Sequence, residues 1–465
     1  MLKSGIMQVV RKKILVMAGL CVLFSTVACQ KWVDDAPQPL QVDESKVFST
    51  EQGFRDALNG VYLQLGSSAL YGRELTMGVL SLAGRNYDSV SVTKVSNLYY
   101  KAATCNLADP SVKSYSAEVW NKMYQSIANL NNVLANAETR KGIFTGDNYK
   151  TVKGEALALR AYLHFDLLRL FAPAPVTGQL ASPAIPYVTA LSANATPVSS
   201  VEQVLQNCIA DLTAADELLS ADDLTASQFT KWAVKGLLAR VYMYKGDNAQ
   251  AKENALAVIN SNKFSLSTNN NDLFFTKESL FKLYIYNNNY YAYYKSVFSS
   301  PVLLGLSSSA QTAVYVTGNG ATSDYRKNFI NTLTGNGTGA ALMPKKFYAT
   351  ASNIFPMIRL SEMYYIAAEC AADVPTGLSY INQVRTGRGV PALTAANVPD
   401  AGSLSNEIMK EYRKEFIGEG QMFFYYKRKN TPFTALPFYP KVPAVAGEAY
   451  VPVAANASYT FIKPE

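Results

Sequence analysis

The sequence predicts a mainly α fold in which tetratricopeptide-like helical hairpins form a curved scaffold, interrupted by long loop-rich insertions and a few short strands. Three observations carry this. Apolar residues recur at helical spacing over about 49–66, 117–260 and 355–428. One segment, Leu238 to Asp247, has the chemistry of a helical-hairpin repeat. In two stretches, 69–116 and 264–346, helical periodicity fails and, in the second, Tyr, Asn, Ser and Gly clusters take over. With 49% hydrophobic and 17% charged residues in 465, the chain holds enough apolar material for a sizeable core, which excludes a disordered or fibrous chain.

The first 28 residues read as an address. Lys3, Arg11, Lys12 and Lys13 precede an apolar run from Ile14 to Phe24, about half of the ~20 residues that span a bilayer as a helix, and small residues then lead into Ala28-Cys29. A bacterial lipoprotein signal ends this way, with Cys29 as the lipidated N-terminus that anchors without spanning; an ordinary signal peptide ending near a cysteine is the alternative. Residues 29–48, with Asp34-Asp35, Pro37 and Pro39, then form a tether, and 49–465 a single domain. Those four cations contribute to the formal charge of +8; without them 39 Lys and Arg face 35 acids. No Lys/Arg run longer than Lys427-Arg428-Lys429 follows residue 28, so no nucleic-acid partner is expected.

Each helix has a local cause. Ser49 and Thr50 are N-cap candidates for the first, whose Phe54, Leu58, Val61, Tyr62 and Leu65 form an apolar stripe ending at Gly66. Periodicity predicts further helices over 117–138, 149–171, 201–219, 230–245, 248–260, 355–372, 376–386 and 404–428. In the hairpin-like segment, Ala239 permits close helix approach, Tyr242 fills the groove, Gly246-Asp247 make the turn, and Ala251 packs back. Ala367, Ala368 and Pro375 take comparable roles further on, although no strict 34-residue period is visible. The tail after Pro432 is Pro-rich and irregular.

Catalytic chemistry finds few supports. With Cys21 leaving in the signal and Cys29 carrying lipid, only Cys105, Cys208 and Cys370 remain, without any C-x-x-C pair. The one histidine, His164, lies in a helix apolar on nearly every face, where Arg160, Asp166 and Arg169 offer local pairing, so its expected role is structural. A carboxylate pair needs no histidine to hydrolyse a glycosidic bond. Glu362 and Glu369, however, share a helix with Arg359, and Glu411, Glu415 and Glu419 share one with Arg413, Lys414 and Arg428, the pattern of paired charge in a scaffold. Phosphate-loop, H-E-x-x-H and calcium-loop patterns are absent, and no catalytic residue, metal or cofactor is assigned.

The aromatics say more. Tyrosines number 30 against 21 phenylalanines, and many sit in the loop-rich stretches. A tyrosine offers an apolar face and a hydroxyl, as a sugar ring offers C–H faces and hydroxyls, so Tyr with Asn, Asp and Arg in loops suits a carbohydrate site. The candidates are Arg85, Asn86, Tyr87 and Asp88; Tyr99 and Tyr100; and Tyr284, Tyr290, Tyr291, Tyr293 and Tyr294. The competing reading makes the same tyrosines core or loop packing.

Four ordered blocks then resemble the SusD/RagB family of outer-membrane nutrient-binding lipoproteins, over essentially the whole chain after the signal. They are Cys29 to Pro37 with Phe54 to Tyr62; Glu155 to Phe165; Ile358 to Glu369 with Ile381 to Arg385; and Tyr412 to Gln421. The resemblance implies an α-rich body with a loop-rich ligand face formed from about 69–116 and 264–346, anchored by lipid at the surface of a Gram-negative outer membrane. It implies a non-catalytic binder that captures a glycan and serves as the lid of a SusC-type TonB-dependent transporter. Family ligand loops map onto Arg85 to Asp88, Tyr99-Tyr100 and Tyr284 to Tyr294. One departure is Met422-Phe423-Phe424-Tyr425-Tyr426, where the family often has a basic residue followed by Trp-Phe-Asp-Leu. Peptide-binding members exist beside glycan binders, and a secreted carboxylate-pair glycoside hydrolase or a helical scaffold that binds only protein are the remaining alternatives.

Overall fold

The computed structural model describes residues 44–88, 97–268, 271–286, 289–299, 301–315, 324–331, 341–348, 353–437, 454 and 457–464. Contacts divide the chain into Met1–Gly53 and Phe54–Glu465. In the first unit, residues 44–53 hold a one-turn helix, Glu44–Val47, and the start of α1 (Glu51–Leu65), where Thr50 Oγ1 accepts from the Gly53 amide at 3.2 Å. The signal segment, Cys29 and the tether up to residue 43 lie outside the described residues.

The second unit is mainly helical. After α1 come α2 (Val79–Ala83), α3 (Asn97–Ala103), α4 (Pro110–Thr139), α5 (Asn148–Phe171), α6 (Val201–Leu218), α7 (Lys231–Lys245) and α8 (Asn248–Asn260). Then follow α9 (Asn289–Phe298), α10 (Ser308–Tyr315), α11 (Leu360–Glu369), α12 (Val374–Gly387), α13 (Ala401–Glu415) and α14 (Gln421–Arg428). Packing follows the sequence: α4 on α5, α5 on α6, α6 on α7, α7 on α8, then α8 on α11, α11 on α12 and α12 on α13. Helix α5 is buried without a break from Gly154 to Phe171, because its sequence is apolar on nearly every face and its Glu155, Arg160, Asp166 and Arg169 are ion-paired.

The α7–α8 hairpin shows how sequence sets the turn. Gly246 takes φ +90°, donating to the Tyr242 and Met243 carbonyls, and the Asp247 amide donates to Tyr242 O at 2.9 Å. The Asp247 side chain then accepts from the Gln250 amide and starts α8. Ala239, Ala251 and Ala255 are fully buried, as close approach requires. Tyr242, expected in the groove, is only half-buried; Tyr244 turns inward instead, edge-on to Phe165 with centroids 5.5 Å apart.

Short strands β1 (Pro183–Pro186), β2 (Val198–Ser200), β3 (Ser279–Tyr284), β4 (Phe329–Asn331), β5 (Leu342–Pro344) and β6 (Ile354–Arg359) pair antiparallel as β1–β2, β3–β6 and β4–β5. Four expectations are corrected. The helix expected from Phe355 begins at Leu360, since Ile354 to Arg359 is strand β6, with Tyr284 opposite Ile354 and Pro356 opposite Lys282. The helix expected over 404–428 breaks at 416–420, where Gly418 and Gly420 both take φ +73°. A Cβ on Gly418 would meet Phe347 Cζ at 2.4 Å, and one on Gly420 would meet Leu75 O at 2.2 Å. The 69–116 stretch is not all loop: it holds α2 and α3, and α4 starts at Pro110, capped by Asp109, which accepts from the Ser111 amide at 3.0 Å. The 264–346 stretch likewise holds α9 and α10.

A buried cluster of charge fastens that second stretch to the helices. Glu415, at the end of α13, accepts from Arg359, Arg388 and Arg326, which belong to β6, the end of α12 and the segment before β4. Arg326 also pairs with Asp324 and Glu411, Arg388 with Glu278, and Lys346 with Glu419, all at 2.6–2.8 Å. Burial by itself would raise the Glu415 carboxyl, yet Arg388, Arg359 and Arg326 hold it well below the usual range. Glu411 is drawn down to about 2 against the same burial by Arg326, Lys414 and Arg385.

Candidate functional site

Strand β3 and its continuation alternate cleanly. Phe281, Leu283 and Ile285 are buried, whereas Lys282 is half-buried and Tyr284 and Tyr286 are 51% and 57% exposed. Helix α9 sorts its tyrosines by helical spacing. Tyr290 and Tyr294 face inward with Val297 and Phe298, and Tyr291, at 44% exposure, faces out with Lys295 one turn later. Lys295 Nζ sits 5.3 Å from the Tyr291 ring centroid.

Tyr294 is the pivot of this arrangement. Its ring meets Tyr291 at 5.1 Å (89°), Tyr348 at 6.1 Å (74°) and Tyr290 at 6.1 Å. Tyr348 ends the 3-10 turn Lys345–Tyr348 and is 42% exposed. Beneath it Phe347 stacks on both Phe298 and Phe355, so the outer rings stand on an aromatic floor. Tyr293 is half-buried, with the Arg73 guanidinium 6.0 Å from its centroid.

The other candidates are internal. Arg85 is buried and takes φ +55°. Asn86 Oδ1 accepts from the Gly418 amide at 2.9 Å, the Tyr87 hydroxyl donates to Met77 O at 2.9 Å, and Asp88 accepts from the amide and hydroxyl of Ser307. Tyr99 is buried, its hydroxyl donating to Glu74 at 3.0 Å, and Tyr100 is half-buried under Lys101. Of the eleven ligand candidates, Tyr284 and Tyr291 are exposed, Tyr100 and Tyr293 half-buried, and Arg85, Asn86, Tyr87, Asp88, Tyr99, Tyr290 and Tyr294 buried. Sequence reasoning did not single out Tyr348, Lys345, Lys282 or Lys295, of which all but the half-buried Lys282 are exposed. Strict alternation from Phe281 to Tyr286 was the signal available for the strand.

The acids and the histidine are committed elsewhere. Glu362 takes a two-pronged contact from Arg240 and Glu369 one from Arg428. His164 Nε2 accepts from the Val188 amide at 3.0 Å, which leaves Nδ1 to donate to Arg160 O at 2.9 Å. Burial pushes its pKa down to about 3, so the ring is neutral, and it stacks on Tyr187 at 3.9 Å. Cys105 and Cys208 are free and buried, and Cys370 is free and half-buried. Among the described residues no trio of His, Cys, Asp or Glu is placed to hold a metal, and no helix is long and apolar enough to cross a membrane.

Two family models tile the sequence. One, described as starch-binding and associating with the outer membrane, matches residues 36–243; the other, described as the SusD family, matches 230–446. The chain belongs to the SusD/RagB family. Among curated relatives, SusD-like protein P2 of Formosa agariphila is 25% identical over 249 residues, 52% of this chain and 45% of that protein. A SusD-like protein of Bacteroides ovatus is 26% identical over 277 residues, 57% and 47% of the two chains. The chain thus spans less than half the length of these curated relatives. In fold it is similar to a SusD homolog of Bacteroides thetaiotaomicron, with TM-score 0.68, 18% identity and coverage of 90% and 95%. It is also similar to a SusD-like carbohydrate binding protein of Bacteroides vulgatus, with TM-score 0.65, 20% identity and coverage of 82% and 83%. The mainly helical SusD fold with a few short strands agrees with the fold class the sequence predicts.

Proposed function

We propose that this SusD/RagB-family chain is a non-catalytic cell-surface lipoprotein that binds nutrient oligosaccharide or polysaccharide and, as a lid, delivers it to a SusC-type TonB-dependent transporter. In this reading residues 1–28 are removed, Cys29 carries the lipid, 29–48 are the tether and 49–465 work as one domain. The observation that carries it is the set of outward rings at Tyr284, Tyr286, Tyr291 and Tyr348, the last two bridged by the buried Tyr294. Such rings stack on the C–H faces of sugars and turn their hydroxyls to the sugar's own. The buried and ion-paired state of Glu362, Glu411, Glu415 and Glu419 leaves none of them free to act as an acid–base pair on a glycosidic bond.

The test is isothermal titration against plant, host and fungal polysaccharides and peptide digests, with product analysis of each mixture. Saturable binding of a glycan without cleavage is expected. Truncating Tyr284, Tyr291 and Tyr348 to Ala should weaken it, each ring by roughly 2- to 10-fold. Sugar release, or affinity for peptides alone, would overturn the reading.

A further inference from the structure

The stretch 264–353, which builds the tyrosine face, is charged in one direction. It holds Lys277, Lys282, Lys295, Arg326, Lys327, Lys345 and Lys346 against Asp272, Glu278 and Asp324. That excess of four equals the whole excess of 39 over 35 outside the first 28 residues, so the remainder of the chain is balanced. All three acids are occupied: Asp272 accepts from Thr276, Glu278 from Arg388, and Asp324 from Arg326. Arg326 and Lys346 are spent in the buried cluster.

Three of the remaining lysines stand beside the outward tyrosines. Lys282 shares the outer side of β3 with Tyr284 and Tyr286. Lys295 lies over Tyr291. Lys345 and Tyr348 are three apart in one 3-10 turn, where side chains at that spacing eclipse, and both are exposed. None of the three makes an ion pair among the described residues; on the helical scaffold Lys141, Lys150 and Lys410 do and the exposed Lys113 does not. A neutral glycan offers these three ammonium groups hydroxyl acceptors but no opposite charge, whereas an anionic polymer offers each a counter-charge.

We infer that the tyrosine face takes an acidic polysaccharide, one whose sugars carry carboxylate or sulfate groups, with the rings stacking on sugar faces and Lys282, Lys295 and Lys345 pairing with the acid groups. This rests on the glycan-binding reading above and narrows it. The full chain would be titrated with polygalacturonate, a sulfated carrageenan and neutral amylopectin at 20 and 300 mM NaCl. An acidic polymer should bind, more weakly at high salt because the screening length shortens. The triple change K282A/K295A/K345A should cost roughly 10-fold in affinity while melting as the parent does. Loss of binding after methyl-esterification of the polygalacturonate assigns carboxylate, and loss after desulfation of the carrageenan assigns sulfate. Salt-independent binding of amylopectin that survives the lysine changes but not Y284A/Y291A/Y348A overturns this inference and leaves the glycan reading standing. Binding of no polysaccharide, or of acidic peptides alone, overturns both.

Discussion

Replacing Glu415 by Gln removes one charge from the point where four segments meet. The wild-type carboxylate accepts from Arg359, Arg388 and Arg326, all at most 3% exposed. Around it stand Arg326, Arg359, Arg385, Arg388, Lys346 and Lys414 against Asp324, Glu278, Glu411, Glu415 and Glu419. The amide keeps the shape but supplies one acceptor and an N–H₂ that points donors at donors. Removing one partner of a buried pair costs about 3–5 kcal/mol, because the remaining charge stays out of water. An unfolding entropy of about 2.1 cal/mol/K per residue, over roughly 400 residues, converts this to a melting shift of about 4–6 °C. Calorimetry of both proteins from pH 3 to 8 checks the size and the sign. The folded carboxyl is depressed, so its stabilisation is present above the unfolded value of about 4.3 and lost as pH falls through the folded one. The gap between the two proteins should therefore be full at pH 7 and shrink below about pH 4. A shift under ~1 °C at pH 7, or a gap that does not change with pH, would refute the view that this cluster is held by charge.

Two further outcomes follow from other parts of the fold. Gly418→Ala should cost about 1–2 kcal/mol for a left-handed non-glycine residue, and more for the methyl group driven into Phe347; since Phe347 supports Tyr348, glycan affinity measured by titration should fall together with the melting temperature. Glu155 is pushed up to about 7 by burial, which Arg55 and Tyr62 only partly offset. Its folded pKa lies above the unfolded one, so its stabilising effect is complete below about pH 4.3 and lost as pH rises through 7. Glu155→Gln should abolish a pH-dependent loss of about 3 kcal/mol between pH 4.5 and 7.5, read from melting curves.

The helices were legible because their causes are local. Leu58, Val61 and Leu65 recur at helical spacing, Gly246 and Asp247 stop one helix and start the next, and both patterns survive intact in the structure. The failures have a physical pattern too. Phe355 to Ile358 reads as helix in a one-dimensional count, yet its partner strand lies more than seventy residues away at Phe281 to Tyr284, and no local signal carries that pairing. Apolar spacing runs through 404–428 without a gap, but the chain turns because Phe347 and Leu75 leave no room for a Cβ at Gly418 and Gly420. For the candidate site, the aromatic density of Tyr284 to Tyr294 was legible but not which rings face out, because that depends on the start of α9 and on Tyr348 arriving from another element.

Arg85 to Asp88 show how polar residues in a loop are taken up inside the fold. A long connection that crosses packed helices must satisfy its own backbone and theirs, so its Asn, Asp and Tyr side chains are spent inside. Asn86 accepts from the amide of Gly418, and Asp88 binds Ser307, which leads into α10; together they join the segment after α2 to the turn between α13 and α14 and to that helix. The buried cluster at Glu415 then ties β6, the end of α12 and the Arg326 segment to the same turn. The exposed rings stand instead on elements with one solvated side: the outer residues of β3, α9 and the Lys345 turn. A face built that way keeps its rings and lysines in fixed register, because each stands on a strand or helix whose other side is buried.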